Sequence, residues 1–347
     1  MAEQSTLASP PYDTISSLHF SPTTPNHLLV SSWDATVRLY DTATTEQTQV
    51  QKSKFDHRAA VLDCCFSADG KLAYSAGLDN TVRAMDLTSE KLSNLGLHNQ
   101  AVSSILYSQS TNSVVTGSWD RSLKVWDPRT NASHSTYNTR ERVYHLASPS
   151  STSPSTISTG QGSNAHMIVV AQASRLFDIY DLRKMDKPVY ERESSLKFMT
   201  RSLACMANGD GFAIGSVEGR IAVEYFDPNS ATQEKKYAFK CHRQAIDNVD
   251  HVWPVNALAF HPIYNTFASG GSDGALSVWD HEVKKRLRQY PKYSSPISAL
   301  SFNVDGSKLA VAVGYTWDDG KDGASKAEQP AIFIRDVGDG VKPKGWA

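Results

Sequence analysis

Histidine, serine and aspartate recur at similar places along the chain, and one set, His98, Ser118 and Asp120, has the residue types of a catalytic triad. Similar sets recur imperfectly in other segments, which favours a structural explanation. A histidine, a Ser or Thr, a turn aspartate and a tryptophan can form a hydrogen-bond network within one repeated unit. We predict that structural role for seven residues: His57, His98, Asp79, Asp120, Asp273, Trp126 and Trp279.

Motifs that would support an enzyme are missing from suitable contexts: GxxxxGK[ST], GxGxxG, HExxH and GxSxG. We therefore predict no catalytic residue and no enzymatic activity. The four cysteines, Cys64, Cys65, Cys205 and Cys241, form no CxxC pair and have no His-x-x-x-His partner. This pattern predicts no metal site, no cofactor and no disulfide framework, and it suits a reducing compartment.

The charge balance gives no general attraction to polyanions. The 347 residues include 35 Lys and Arg and 36 Asp and Glu, for a net charge of −1. We therefore expect no direct nucleic-acid or membrane partner, and any charged ligand must meet a local patch. The N-terminus has neither a basic nor an apolar targeting region, and no apolar run approaches the roughly 18 residues that span a bilayer. The expected location is cytosolic or nuclear.

Repetition dominates the organisation of the chain. Seven segments end in an aromatic residue and Asp, or a near variant, as in WDRSLKVWD. The endings recur at intervals from 41 residues (86 to 127) to 56 residues (280 to 336), against about 40–45 for a WD-repeat blade. Alternating apolar residues and Gly, Asn or Asp turns predict short strands. We predict an all-β, seven-bladed WD40 β-propeller, a single domain over residues 1–347, with blades ending near Asp41, Asp86, Asp127, Asp181, Asp227, Asp280 and Asp336.

Closure of the ring is also predicted. The last unit supplies three strands and then the tail GDGVKPKGWA, a poor fourth strand. An N-terminal strand near Gln4–Ala8 is expected to complete that blade and cover its edge. Three insertions depart from the repeat: a flexible Ser/Pro-rich loop at 147–166, a polar loop at 318–329, and a longer link at 242–254.

Two tryptophans are candidates for binding a partner. In a four-stranded blade, the link into the first strand and the turn between the second and third strands lie on one face, which we call the top face. Trp33 and Trp119 occupy second-to-third-strand turns in the first and third blades, so both should reach it. Paired exposed indoles suit an apolar or extended peptide. The alternative is that each indole packs against the neighbouring blade.

The fifth blade supplies candidate cations. Arg201 lies near the start of its first strand, Arg220 lies in its VEGR turn, and Lys240 ends its outer strand. By the same topology all three approach the top face, where they could hold a carboxylate or a phosphate. The alternative is that each is an ordinary solvated cation.

The segments EGRIAVEYFD, KKYAFKCHR, VNALAFHPIYNTFASGGSDG and KKRLRQY resemble a known family over roughly residues 10–337. This is the spindle-checkpoint WD-repeat family named for budding uninhibited by benzimidazole. The sequence is also similar to the sister family of WD-repeat messenger-RNA export factors of the nuclear pore. FKCHR after EGR is specific to this pair of families, and Glu224 with the basic KKY before AFKCHR favours the checkpoint family.

The resemblance implies a nuclear adaptor that docks at kinetochores in mitosis. Its expected partners are the GLEBS segments of a checkpoint kinase and of its pseudokinase relative, phosphorylated Met-Glu-Leu-Thr repeats of the kinetochore scaffold, and the mitotic checkpoint complex. Matching the family residue by residue places Trp33, Trp119, Arg201 and Lys240 at GLEBS contacts. Arg220, with Lys240 nearby, matches the phosphothreonine site. The propeller is expected to be monomeric by itself within these hetero-complexes.

A second function is carried as an alternative. The export family implies a nuclear-pore adaptor that binds the GLEBS segment of a nucleoporin and associates with messenger RNA. That function predicts salt-dependent RNA binding, for which the net charge of −1 offers weak support.

Overall fold

Seven four-stranded antiparallel sheets form the blades in the computed structural model, which describes residues 4–43, 50–130, 132–149 and 164–346. In chain order from blade 1 to blade 6, the strands are β2 (Ile15–Phe20), β3 (His27–Ser32), β4 (Thr36–Asp41), β5 (Val50–Asp56); β6 (Val61–Phe66), β7 (Leu72–Gly77), β8 (Thr81–Asp86), β9 (Lys91–Leu97); β10 (Val102–Ser108), β11 (Ser113–Ser118), β12 (Ser122–Asp127), β13 (Ala132–Asn138); β14 (Val143–Ala147), β15 (Met167–Gln172), β16 (Leu176–Asp181), β17 (Tyr190–Glu193); β18 (Thr200–Cys205), β19 (Gly211–Ser216), β20 (Arg220–Tyr225), β21 (Tyr237–Lys240); β24 (Val255–Phe260), β25 (Phe267–Gly271), β26 (Leu276–Asp280) and β27 (Lys285–Gln289).

Blade 7 is built from both ends of the described chain. Its strands are β28 (Ile297–Phe302), β29 (Lys308–Val313), β30 (Ala331–Asp336) and β1 (Gln4–Thr6). Strand β1 pairs antiparallel with β30, and the next residue, Leu7, is 1% exposed. The predicted seven-bladed propeller closed by an N-terminal strand is therefore confirmed.

The blades are held together by seven apolar clusters, one at each interface between neighbouring blades. Second strands such as SVVTGS in β11 and GFAIGS in β19 are buried at every position, because a blade covers each of their faces. Their small and β-branched residues suit this position, since neighbouring sheets pack closely on both sides.

The first strand of every blade contains a β-bulge after its first residue. A bulge inserts one residue into the strand and turns its side chain away from the ladder. The bulged residues, at equivalent positions near the top of the innermost strands, are Ser16, Leu62, Ser103, Tyr144, Arg201, Asn256 and Ser298.

The insertions differ in structure. Residues 242–254 contain a hairpin of β22 (Arg243–Ile246) and β23 (Val249–Val252), whose turn residues Asp247 and Asn248 both have positive φ, as a type I′ turn requires. The 318–329 loop contains the short helix α2 (Gly320–Ala324), and α1 (Ser230–Gln233) precedes β21. Single 3₁₀ turns cover Ala173–Arg175 and Gly338–Val341. Of the predicted 147–166 loop, residues 150–163 lie outside the described part of the chain.

Candidate peptide-binding face

The triad-like set in blade 3 is a structural network. The ring of His98 lies 3.2 Å from the Asp120 carboxylate and 2.7 Å from the Thr116 hydroxyl, which also accepts a 2.8 Å hydrogen bond from the Trp126 indole. Ser118 takes no part, because its hydroxyl donates to backbone carbonyls of the link into β10. With Trp126 donating to Thr116, Thr116 to His98 and His98 to Asp120, each of these four side chains has a hydrogen-bond partner and none is a free nucleophile.

Blade 6 has the same arrangement, again with a histidine that follows the outer strand of the preceding blade. His242, which follows the outer strand of blade 5, contacts Asp273 at 2.8 Å and the Ser269 hydroxyl at 2.9 Å. The Trp279 indole donates to the same hydroxyl at 2.8 Å. These two networks fasten the top-face turns of blades 3 and 6 to the strands beneath them.

Blade 2 has a shorter network. His57 contacts the Ser75 hydroxyl at 2.7 Å, while Asp79 forms an ion pair with Arg83 at 2.5 Å. The third strand of this blade, TVRAMD, has no tryptophan. Burial lowers the pKa of His57 and of His98 to about 4, so both rings are neutral at pH 7.

Seven equivalent hydrogen bonds fix the top-face turns. In each blade, the backbone N–H of the residue that follows the second strand donates to a carbonyl in the link into the first strand, at 2.9 to 3.1 Å. Trp33 and Trp119 are the donors in blades 1 and 3. Trp33 is 46% exposed and Trp119 is half-buried. The structure therefore places both tryptophans on the top face, and Trp33 is not covered by a neighbouring blade. Their role in binding stays a prediction.

Further exposed apolar residues on the top face were not predicted from the sequence. They lie in links into first strands, at the end of an outer strand and in the β29–β30 connection: Tyr12, Leu97, Phe198, Met199 and Trp317. The available signal was their position in connections and at a strand end. Together with Trp33 and Trp119 they define what we call the apolar rim.

Arg201 lies at the mouth of the central channel. It is the bulged residue of β18, and its Nε donates to the Asn256 side chain at 3.1 Å. Asn256, the bulged residue of β24, donates in turn to Ser272 and to the Ile297 carbonyl. This chain of contacts crosses blades 5, 6 and 7 and orients Arg201. Asn256 is a positioning residue that the sequence analysis missed, because it is distant from Arg201 in the chain.

Arg220 and Lys240 are direct cross-strand partners in the register of β20 and β21. Their side chains share one face of the sheet, and Cβ atoms of such pairs are about 4.5–5.5 Å apart. Within the described part of the chain Lys240 has no ion-pair partner, and Arg220 contacts one carboxylate, Glu218, at 3.4 Å. The adjoining Gly219 has φ of +64°, and a Cβ there would lie 2.6 Å from the Cys241 carbonyl. Glycine thus lets the strand end bearing Lys240 approach the turn bearing Arg220.

The three predicted cations lie on three different strands of blade 5. Arg201 is on the innermost strand of blade 5, whereas Arg220 and Lys240 are on its third and fourth strands. Neighbouring strands are about 4.8 Å apart, so the backbone of Arg201 is about two strand spacings from that of Arg220. Lys240 also lines a groove of about 370 Å³ with other cations: Arg243, Arg286 and Lys292.

No group of three or more His, Cys, Asp or Glu side chains among the described residues could hold a metal ion. Within the same residues, no helix is long and apolar enough to cross a membrane. The fold and the sites together define a WD-repeat β-propeller with a candidate peptide-binding face. The family model for the WD domain, G-beta repeat, matches residues 3–41, 49–86, 89–127 and 236–280.

Relatives are similar over nearly the whole chain. The sequence is 48% identical to mitotic checkpoint protein BUB3.1 of Arabidopsis thaliana, covering 97% of this chain and 94% of the relative. It is 41% identical to mitotic checkpoint protein bub3 of Dictyostelium discoideum (95% and 94%) and 35% identical to mRNA export factor GLE2 of Chaetomium thermophilum (97% and 92%). The chain belongs to the BUB3 family of WD-repeat mitotic checkpoint proteins, and this membership supports a checkpoint role.

Proposed function

We propose that this protein is a non-catalytic spindle-assembly-checkpoint adaptor with two peptide sites on its top face. One site binds GLEBS segments of the checkpoint kinase and its pseudokinase relative through Trp33, Trp119, Arg201 and Lys240. The other recognises phosphorylated Met-Glu-Leu-Thr repeats of the kinetochore scaffold through Arg220 and Lys240. The observation that carries the proposal is the direct cross-strand pairing of Arg220 and Lys240.

Like charges directly opposite each other in a sheet are destabilising. Glu218, at 3.4 Å from Arg220, offsets one of the two charges, and Lys240 has no carboxylate partner within the described residues. A phosphothreonine brings about −1.5 to −2 charges and three acceptor oxygens. It would compensate both cations, whereas an unphosphorylated threonine would compensate neither.

The apolar rim supports the GLEBS site. Trp33, Phe198 and Trp317 are 46%, 53% and 59% exposed, and exposed aromatic residues are frequent at binding hot spots. Arg201, oriented by Asn256 at the channel mouth, offers terminal nitrogens to a glutamate of the bound segment. An extended peptide across the top face would meet apolar contacts at the rim and a cation at the centre.

These sites suit an assembly role. Simultaneous binding of a GLEBS segment and a kinetochore phosphopeptide would bring the kinase, and the mitotic checkpoint complex through the pseudokinase relative, to the kinetochore. We therefore propose nuclear localisation with kinetochore association in mitosis. Closure of blade 7 by β1 favours a monomeric propeller within these hetero-complexes, because no unfinished blade remains to pair with another copy.

Calorimetry tests this function directly. The protein is saturated with a GLEBS peptide and titrated with a Met-Glu-Leu-Thr peptide in its phosphorylated and unphosphorylated forms. We expect micromolar or tighter binding of the phosphorylated form alone. GLEBS binding without binding of either Met-Glu-Leu-Thr peptide would contradict the kinetochore function and favour the alternative, a nuclear-pore messenger-RNA export adaptor, for which the similarity to GLE2 is the supporting observation.

A further inference from the structure

The bottom half of the central channel widens into a cavity of about 380 Å³. We call the face that carries the turns between first and second strands the bottom face, and residues of those turns, including Pro22 and Ser67, line the cavity. The first strands of blades 1 to 6 each contribute an apolar residue to its walls, beside polar ones: Phe20, Phe66, Leu106, Leu146, Leu203 and Leu258. The volume lies in the range of pockets that hold small ligands or single side chains.

One carboxylate faces this apolar space. The Asp63 side chain is 16% exposed although Asp63 lies on the innermost strand of blade 2. Its Oδ2 accepts hydrogen bonds from the Ser104 hydroxyl at 2.9 Å and the Ile105 N–H at 3.0 Å, and its Oδ1 accepts one from the Cys64 N–H at 2.9 Å. Burial acts to raise the Asp63 pKa, but hydrogen bonds and the nearby His19 hold it below its usual value. The carboxylate is therefore ionised at pH 7.

Three other aspartates whose side chains are largely buried have arginine partners. Asp34 pairs with Arg38 at 2.7 Å, and Asp79 with Arg83 at 2.5 Å. Asp178, which is 1% exposed, pairs with Arg140. A buried charge without a counter-charge is costly. The fold meets this cost with a guanidinium at these three positions, with a histidine contact at Asp120 and Asp273, and with backbone N–H donors at Asp280.

Within the described residues, Asp63 has no arginine or lysine partner. Among the described residues that line the cavity, His19 is the one side chain able to carry a positive charge; it lies 3.6 Å from Asp63, is 45% exposed, and is charged only when protonated. A role in joining the blades does not require the charge, because at the equivalent position after the bulge the other six blades carry no acid: Ser17, Ser104, His145, Ser202, Ala257 and Ala299. Blade 2 is thus the one blade that carries an acidic residue at this position.

We propose that the cavity binds an arginine side chain of a protein that docks on the bottom face, with the guanidinium at Asp63. The carboxylate has about four acceptor positions, and three of them accept the hydrogen bonds described above. A guanidinium N–H would take the fourth, on Oδ1, in place of His19, which lies 3.6 Å from that oxygen. The apolar walls match the aliphatic part of arginine, and a guanidinium is easier to desolvate than an ammonium. This site is on the face opposite the proposed GLEBS and phosphothreonine sites and is independent of them.

The test compares two ligands of equal length on the full-length protein with ¹³C-labelled leucine methyl groups. N-acetyl-arginine-N-methylamide carries the cation, and N-acetyl-citrulline-N-methylamide replaces it with a neutral urea. We expect the arginine ligand to shift the methyl resonances of Leu106, Leu203 and Leu258, with at least tenfold weaker binding of the citrulline ligand. Leu97 on the top face should not shift. Equal binding of the two ligands, or no shift at these leucines, would overturn the proposal.

A pair of variants locates the charge. Asp63→Asn should remove the preference for arginine over citrulline, whereas Asp69→Asn, on the bottom face but outside the cavity, should retain it. Retained preference in Asp63→Asn would also overturn the proposal. The ligand comparison on the unaltered protein stays decisive if Asp63→Asn fails to fold. Because GLEBS and phosphopeptide binding are measured separately, failure of this proposal is distinguishable from failure of the proposed function.

Discussion

The top and bottom faces of the ring present different surfaces on the same scaffold. On the top face, apolar residues such as Trp33 and Trp317 are exposed, and Arg220 and Lys240 lie opposite each other on two neighbouring strands. On the bottom face, apolar side chains line a recess around one carboxylate, Asp63. The same strands run from the top face to the bottom face, so the difference between the faces comes from the connections and from single residues on the inner strands. The top face suits an extended peptide, and the bottom face suits one inserted side chain.

The largest effect is expected from Arg220→Ala. Loss of hydrogen bonds to a charged group costs about 1.5–3 kcal/mol, so binding of the phosphorylated Met-Glu-Leu-Thr peptide should weaken roughly 10- to 100-fold by calorimetry. GLEBS binding and arginine binding at the bottom cavity should not change. The control is Lys235→Ala, which removes an exposed cation of the same blade. Retained phosphate preference in Arg220→Ala would exclude the assigned phosphothreonine site.

Two exposed tryptophans give a direct comparison of the faces. Trp33 on the top face is 46% exposed, and Trp346, which packs on Tyr264 beside a bottom-face turn, is 47% exposed. Trp33→Ala should weaken GLEBS binding by about 2 kcal/mol, roughly 30-fold, while Trp346→Ala should leave it unchanged. Both variants should melt within a few degrees of the unaltered protein, because neither indole is in a core. Equal GLEBS affinities would contradict the assignment of the top face.

Acid should weaken the networks beneath the top-face turns. The pKa of His57 and of His98 is lowered to about 4 in the folded protein, against about 6.5 when unfolded. The unfolded chain therefore binds more protons between these values, and stability falls as pH falls from 6.5 towards 4. Linkage gives about 1–2 kcal/mol per histidine between pH 7 and pH 5. Urea unfolding across this range should show a smaller pH slope for His98→Gln; an unchanged slope would refute the assignment.

The smallest effect concerns Glu218. Its carboxylate lies 3.4 Å from Arg220 and competes with an incoming phosphate. Glu218→Gln removes that negative charge, and because partly exposed ion pairs contribute about 0.2–1 kcal/mol, phosphopeptide binding should tighten two- to fivefold. Asp69→Asn, on the bottom face, provides the matched charge control. Weaker phosphopeptide binding by Glu218→Gln would mean that the carboxylate orients Arg220.

Much of the architecture could be predicted from local patterns. Each repeat carries its own strand alternation and turn residues, and the incomplete last repeat indicated a strand from the N-terminus, which is β1. The network of His98 and Asp120 was predictable for the same reason, since the same residue types recur at equivalent positions in other repeats. The hairpin in residues 242–254 was not predicted, because its turn residues, Asp247 and Asn248, follow a short polar and apolar stretch without clear alternation.

The sequence by itself determined the number of blades, their order and the residues that reach the top face, because these depend on periodicity and on position within a repeat. Tertiary structure decided which of those residues meet. The register of β20 and β21 places Arg220 opposite Lys240, whereas Arg201 lies on the innermost strand of the same blade. It also decided that Asp34 and Asp79 have an arginine beside them and that Asp63 does not, since such pairings depend on contacts between strands and blades. Such contacts join residues that are far apart in the chain, so local sequence patterns cannot predict them.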